Sequence, residues 1–380
     1  MATALAAPQV EVSTLDGRQQ TGPLAAITPQ HVTLAAEPNV NVPLSELLEV
    51  RFLEKGEGDD ASGGSIVQMT DGSRLTCKEV AASSRKVSLV GAHLGSFEVA
   101  PTAVTSIQFV PADDRIAGEW QKLLARTLKR DLLVIRKGDV LDFQDGIVGD
   151  IDGKVVKFLL EGEELPIPRE KVFGVIYARR QPSRAKPVCR VTLGRSDELF
   201  VGEFAWDGKT AQAKLLDGSR VELSLNSLRS LDFSLGKVLY LSQIEPREVK
   251  YTPFFDITWE YRRDRNLDGG PIRVGKKEYA RGLAIHSRTL LRYRIGGEYR
   301  RFQTVMGIDE SVAGTGRADV HVVISGDGKA LLEADVRAAD APRTLDLDVA
   351  GVRDLEILVD FGGDLDISDH LDLADARVIK

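Results

Sequence analysis

The stretch Val320-His321-Val322-Val323-Ile324-Ser325-Gly326-Asp327-Gly328-Lys329-Ala330-Leu331-Leu332 reads as a β-hairpin. A run of β-branched residues meets Gly-Asp-Gly, where glycine takes turn conformations without steric cost, and a second apolar run returns. Just downstream, Leu345-Asp346-Leu347-Asp348-Val349 alternates with period two, and Leu355-Glu356-Ile357-Leu358-Val359 is almost continuously apolar. The first pattern suits a half-buried strand and the second a core strand. Together they indicate antiparallel β-structure in which half-buried and core strands lie side by side.

Working outward, longer segments begin at Tyr240 and carry a series of motifs. They are Tyr240-Leu241-Ser242, then Asp264-Arg265-Asn266-Leu267-Asp268-Gly269-Gly270-Pro271, then Tyr279-Ala280-Arg281-Gly282-Leu283-Ala284-Ile285-His286-Ser287. Tyr299-Arg300-Arg301-Phe302, Gly307-Ile308-Asp309-Glu310 and the Gly326-Asp327-Gly328-Lys329 turn follow, and the series ends on Asp369-His370-Leu371-Asp372-Leu373-Ala374-Asp375-Ala376-Arg377. In that order and spacing, the series resembles the NPCBM family, a carbohydrate-binding module type found beside family 98 glycoside hydrolases and related to family 51 carbohydrate-binding modules. The resemblance spans residues 235–380 and implies a galactose-binding-like jelly roll. Two positions depart from the family pattern: Leu373 stands where Trp is common, and Ala284 where Gly is usual.

The N-terminal part follows another rule. Four times, an aromatic residue is preceded by apolar residues two, five and ten positions earlier: Val42, Leu47, Val50 and Phe52; Val99, Val104, Ile107 and Phe109; Ile167, Val172, Val175 and Tyr177; Leu223, Leu228, Leu231 and Phe233. Fixed offsets of this kind mark an internal repeat, read here as strand, one-turn corner, strand. Upstream, Asp16-Gly17, Asp71-Gly72, Lys137-Gly138 and Asp217-Gly218 supply turn chemistry, the last of them later in its unit than the others. Each unit resembles a small barrel of the Sm-like or SH3-like type. No loop matches the RNA-binding loop of the Sm family, so no RNA function is carried over.

The expected fold class is therefore all-β, with four small SH3/Sm-like β-barrel repeats followed by the jelly roll. The expected segments are 8–54, 64–111, 131–179 and 187–234 for the barrels and 112–130 for a connecting helix. In that helix Ile116, Trp120, Leu123, Leu124, Thr127 and Leu128 recur at helical spacing, and Trp120 reads as core. Gly56 to Gly64 and Arg179 to Pro187 read as linkers. The barrels are expected to act as scaffold, with protein partners as the other possibility.

Composition excludes several classes. The 380 residues carry a formal net charge of −7, and a general nucleic-acid binder needs a basic face. No apolar stretch reaches the ~18 to 20 residues of a membrane helix. Cys77 and Cys189 stand far apart, without disulfide-framework, metal or CxxC redox spacing, and read as two buried thiols. The small residues of Ala2-Thr3-Ala4-Leu5-Ala6-Ala7-Pro8 fit the pattern cut by signal peptidases, so an extracellular or periplasmic location with the signal removed is expected.

A sugar is held by hydrogen bonds to its hydroxyls and by an aromatic ring against its C–H face. The candidate glycan-binding residues are Trp259, Arg281, His286, Asp309, Asp369, His370 and Asp372, with Tyr261 as an alternative platform. The ligand expected from the resemblance is a glycan, with a galactose-type sugar as the candidate class. Four of these positions also have a structural reading: His286 and Trp259 as core, Asp309 and Asp369 as turn caps. The acidic residues Asp360, Asp364, Asp366, Asp369, Asp372 and Asp375 raise a structural calcium ion, although they lack EF-hand spacing. No nucleophile elbow, phosphate loop or HExxH motif is present, so the chain is expected to be non-catalytic.

Overall fold

A computed structural model describes residues 7–53, 63–178, 185–254, 258–363 and 365–380. The small-residue pattern at 2–6, Asp364 and most of the two linker segments lie outside the described residues. Almost every described element is a strand, in keeping with the all-β reading. The chain divides into two compact units, Met1–Leu235 and Gly236–Lys380.

In the N-terminal unit one pairing pattern recurs. Strand Gln9–Thr14 pairs with both Gln19–Ile27 and Leu47–Phe52, while His31–Leu34 and Val40–Pro43 continue the sheet on the other side. The same connections recur from Ser65–Met69, from Asp131–Lys137 and from Cys189–Leu193. Gly17, Gly72, Gly138 and Gly218 all take positive φ in their turns, which an L side chain would resist. The repeated apolar signature is buried except at Phe109 and Ile167, which pack partly exposed against the same core.

The last strands of these subunits also pair with one another. Leu231 lies opposite Val50, and Ile107 lies opposite Val175. In each case a residue meets its own counterpart in the repeat, so each junction has a local two-fold relation of the kind seen in symmetric dimers.

Helix α1 (Asp114–Leu124) is capped by the Asp113 carboxylate, which accepts from the backbone N–H groups of Arg115 and Ile116. It buries Ile116, Trp120 and Leu123 against Leu132, Val134, Phe173 and Ile176. The Trp120 ring meets Phe173 edge-on at 5.3 Å, so Trp120 is a core residue. Cys77 and Cys189 are buried free thiols, and burial pushes the Cys77 thiol up to about 12.

The C-terminal unit consists chiefly of two antiparallel sheets. One contains Gly282–Ile285, Leu371–Ile379, Arg301–Ile308 and Arg343–Asp348, and the other Glu248–Tyr251, Thr289–Arg294, Asp354–Phe361, Asp319–Gly326 and Lys329–Arg337. The hairpin of Asp319–Gly326 and Lys329–Arg337 is present, with Asp327 and Gly328 at positive φ in its turn. Leu283, Tyr293, Phe302, Val322, Ile357 and Leu373 belong to the common core. Leu373 is thus a core side chain.

Candidate functional site

Gly282–Ile285 and Thr289–Arg294 are adjacent in sequence but belong to different sheets, so 286–288 forms a corner at one end of the sandwich. The same end receives the segment after Tyr251 and the loop between Asp354–Phe361 and Leu371–Ile379. Tyr251, Thr289 and Val359 lie side by side across three strands.

His286 is buried, and its Nδ1 lies 2.6 Å from the Ser287 carbonyl oxygen. A carbonyl only accepts, so Nδ1 carries the hydrogen and Nε2 holds a lone pair. Burial lowers the imidazole's proton affinity, outweighing the opposing effects of the Ser287 hydrogen bond and Asp366. The ring is neutral at pH 7. Half-buried Trp259 stacks on it, with ring centroids 5.1 Å apart and planes 8° from parallel. His370 completes the cluster, 5.2 Å from the Trp259 ring and 5.8 Å from His286. Its Nδ1 is buried with no hydrogen-bond partner among the described residues, and burial lowers its proton affinity too, against the pull of Asp268 and Asp309.

Carboxylates hold this cluster in place. Asp369 is fully buried; it accepts from the Ser287 hydroxyl and from the Asp319 N–H at 3.4 Å. Asp309 caps the short helix α2 (Glu310–Ala313), accepting from Ser311 N–H at 2.9 Å. It also accepts from Asn266 Nδ2 and from the Arg273 N–H, both at 3.2 Å. Asn266 Oδ1 in turn accepts from Gly270 N–H at 2.7 Å, closing the loop before Ile272–Val274. Asp309 therefore ties that loop to the sandwich.

Asp372 presents a different chemistry. Neither carboxyl oxygen receives an N–H or hydroxyl donor from the described residues, and its partner is the carboxyl of Asp309. Two carboxylates in contact require a shared proton. Burial, then the neighbouring Asp309 charge, holds the Asp372 carboxyl well above its usual range. For Asp309 burial pulls upward, but hydrogen bonds from Asp372, Ser311 and Arg273 prevail and hold it low. Asp372 carries the proton.

Residues 237–379 match the NPCBM/NEW2 domain. A protein named "Putative endo-alpha-N-acetylgalactosaminidase" from Renibacterium salmoninarum is 30% identical over 97 residues, which are 25% of this chain and 6% of that protein. Among solved structures, the CBM51 from Clostridium perfringens GH95, in complex with methyl-galactose, is 24% identical. The match covers 37% of this chain and 99% of that one, with a TM-score of 0.34. The CBM51-2 and INT domains of Clostridium perfringens ZmpB, in complex with GlcNAc, are 20% identical over 59% of this chain and 43% of that one, with a TM-score of 0.35.

Within the NPCBM/NEW2 domain, the structure brings Trp259, His286, Asp369 and His370 to one corner, with Asp309 and Asp372 beneath the adjoining loop. Arg281 is not among them. It precedes Gly282–Ile285, at the end opposite His286, roughly 16 Å away at about 3.3 Å per strand residue. There its guanidinium stands 4.6 Å above the Tyr240 ring. Tyr261 packs against the hydrophobic core, outside the ring cluster. Asn266, Ser287 and Tyr251 also build the site, the last by accepting from the Trp259 backbone N–H. The first two sit inside the quoted motifs, but nothing in their spacing sets them apart from turn residues. Of the described acidic residues, Asp360 pairs with Arg288 at 3.3 Å, and Asp369 and Asp372 have the separate partners described. Among the described residues no group of three or more His, Cys, Asp or Glu side chains is placed to hold a metal.

Proposed function

We propose that the NPCBM/NEW2 domain binds a glycan at this corner without catalysing its hydrolysis. The observation that carries this reading is the flat stack of Trp259 on a neutral, buried His286, with His370 against both. Such a ring offers an apolar surface to a sugar's C–H face while imidazole nitrogens remain for hydroxyl groups. A galactose-type sugar is the first class to test.

The carboxylates favour binding over hydrolysis. A glycosidase pair flanks the scissile bond at about 5 Å or more, whereas Asp309 and Asp372 hydrogen-bond to each other below the surface. Their role here is to hold the loop. An extracellular or periplasmic location suits this reading, and no described helix is long and apolar enough to cross a membrane.

The N-terminal repeats serve, in this proposal, as a scaffold of small barrels. A second reading gives them protein partners, and one observation favours it. A cleft of about 830 Å³ is lined by Glu79, Ala81, Ser88, Val90, Glu98 and Arg169, among others. Screening the full chain on a glycan array, followed by calorimetric titration of each hit, tests the main reading. Saturable binding that is lost in folded Trp259→Ala and His286→Ala variants supports it. A folded chain that binds no glycan transfers the weight to protein contacts.

A further inference from the structure

Residues 252–254 and 365–367 lie at the corner that carries the ring cluster, and both stretches show apolar side chains to solvent. Phe254 is 46% exposed, Leu365 44% and Ile367 39%. Contacts of residues 252–254 tie them to the corner that carries the cluster. Phe254 meets Phe361 edge-on at 5.5 Å, Thr252 N–H donates to the Arg288 carbonyl at 2.9 Å, and Arg288 pairs with Asp360. Asp366, between Leu365 and Ile367, interacts electrostatically with both His286 and Tyr251.

The backbone adds a second observation. Leu365 has φ +75° and Ser368 φ +64°. A bulky leucine adopts this region only under constraint, and such constraint concentrates at ligand-holding loops. An exposed turn position of this kind suits glycine or asparagine, which would lose no packing. Instead a leucine is held outward beside a candidate sugar site, two residues from another exposed aliphatic side chain.

We propose that this site takes a glycoside with an apolar aglycone, the sugar lying on Trp259 and the aglycone on Phe254, Leu365 and Ile367. This deepens, and rests on, the carbohydrate reading given above. An unsubstituted sugar has no use for three apolar side chains at the rim, whereas an alkyl aglycone buries them.

The test is calorimetric titration of the full chain with methyl and octyl glycosides of galactose and of N-acetylglucosamine, below micelle-forming concentrations, with octanol as the sugar-free arm. At least a tenfold gain of octyl over methyl is expected, since each buried CH₂ strengthens binding by about fourfold when fully covered. The gain should vanish in Phe254→Ser and in Leu365→Ser/Ile367→Ser, while methyl glycoside affinity stays unchanged. Equal affinity for methyl and octyl forms overturns the proposal and leaves the carbohydrate reading intact. A gain that survives the variants, or equally tight binding of octanol, also overturns it. Failure of every glycoside to bind removes the carbohydrate reading itself.

Discussion

The indole of Trp259 and the imidazole of His286 lie parallel within 8°, with ring centroids 5.1 Å apart, and the imidazole is neutral because burial penalises its charge. Truncating Trp259 to alanine should weaken glycan binding by about tenfold or more, since aromatic stacking adds roughly 1 kcal/mol beyond buried area. Titration of Trp259→Ala against the parent chain checks this, with circular dichroism confirming the fold.

The same burial makes the corner acid-sensitive. His286 and His370 both have lowered proton affinity in the folded chain, so the unfolded chain takes up protons first as pH falls. Their contribution is therefore complete above the unfolded histidine value of about 6.5 and is lost as pH drops below it. Thermal unfolding followed between about pH 8 and pH 5 should show this loss. His286→Gln and His370→Gln should each flatten the profile.

Asp372 titrates in the opposite sense. Its raised folded value means the folded chain holds a proton that the unfolded chain releases near pH 4. Stability then falls as pH rises from about 4 toward the folded value. Asp372→Asn supplies a permanent donor to Asp309 and should stabilise the unit by about 1 kcal/mol at pH 7. Asp309→Ala should destabilise it by about 2 to 3 kcal/mol, because buried Asn266 and the Arg273 N–H lose their acceptor. Denaturant unfolding of both variants at two pH values distinguishes the roles.

Gly362 begins the loop that carries Leu365 and Ile367. A Cβ there would fall on the Asp319 carbonyl oxygen, whereas at neighbouring Gly363 it would meet only Asp319 Oδ2 at 3.4 Å. Gly362→Ala should cost about 2 kcal/mol or more and lower glycan affinity by displacing the loop. Gly363→Ala should leave both nearly unchanged. Melting temperature and calorimetry on the pair provide the check.

In the N-terminal unit, Trp120 is 4% exposed and lies against Phe173 and Gly174. Trp120→Ala should destabilise that unit by about 3 to 5 kcal/mol, the range for deleting a buried aromatic. Urea unfolding monitored by circular dichroism should show an early transition, with glycan binding retained.

Much of the fold was legible because its signals are local. The hairpin around Asp327-Gly328, the period-two runs and the glycine turns depend on near neighbours, so each residue type carries its own conformational preference. The recurring apolar offsets mark positions that are buried from Val42 to Phe233, apart from partly exposed Phe109 and Ile167, for the same reason. Trp120 was readable as core because helical spacing placed it on the apolar face of α1.

Local patterning along the chain sets strand content, turn positions and a group of polar residues that repeated strand patterning does not require. Which of these meet is a matter of the folded arrangement. Asp309 and Asp372 are 63 residues apart in a bond that also needs a proton, and Ser287 reaches Asp369 across 82 residues. Arg281 and His286 are five residues apart, yet one strand carries them to opposite ends of the sandwich. Sequence patterns record which face a residue turns to, whereas sheet pairing and corner geometry decide its company, and the candidate site consists of that company.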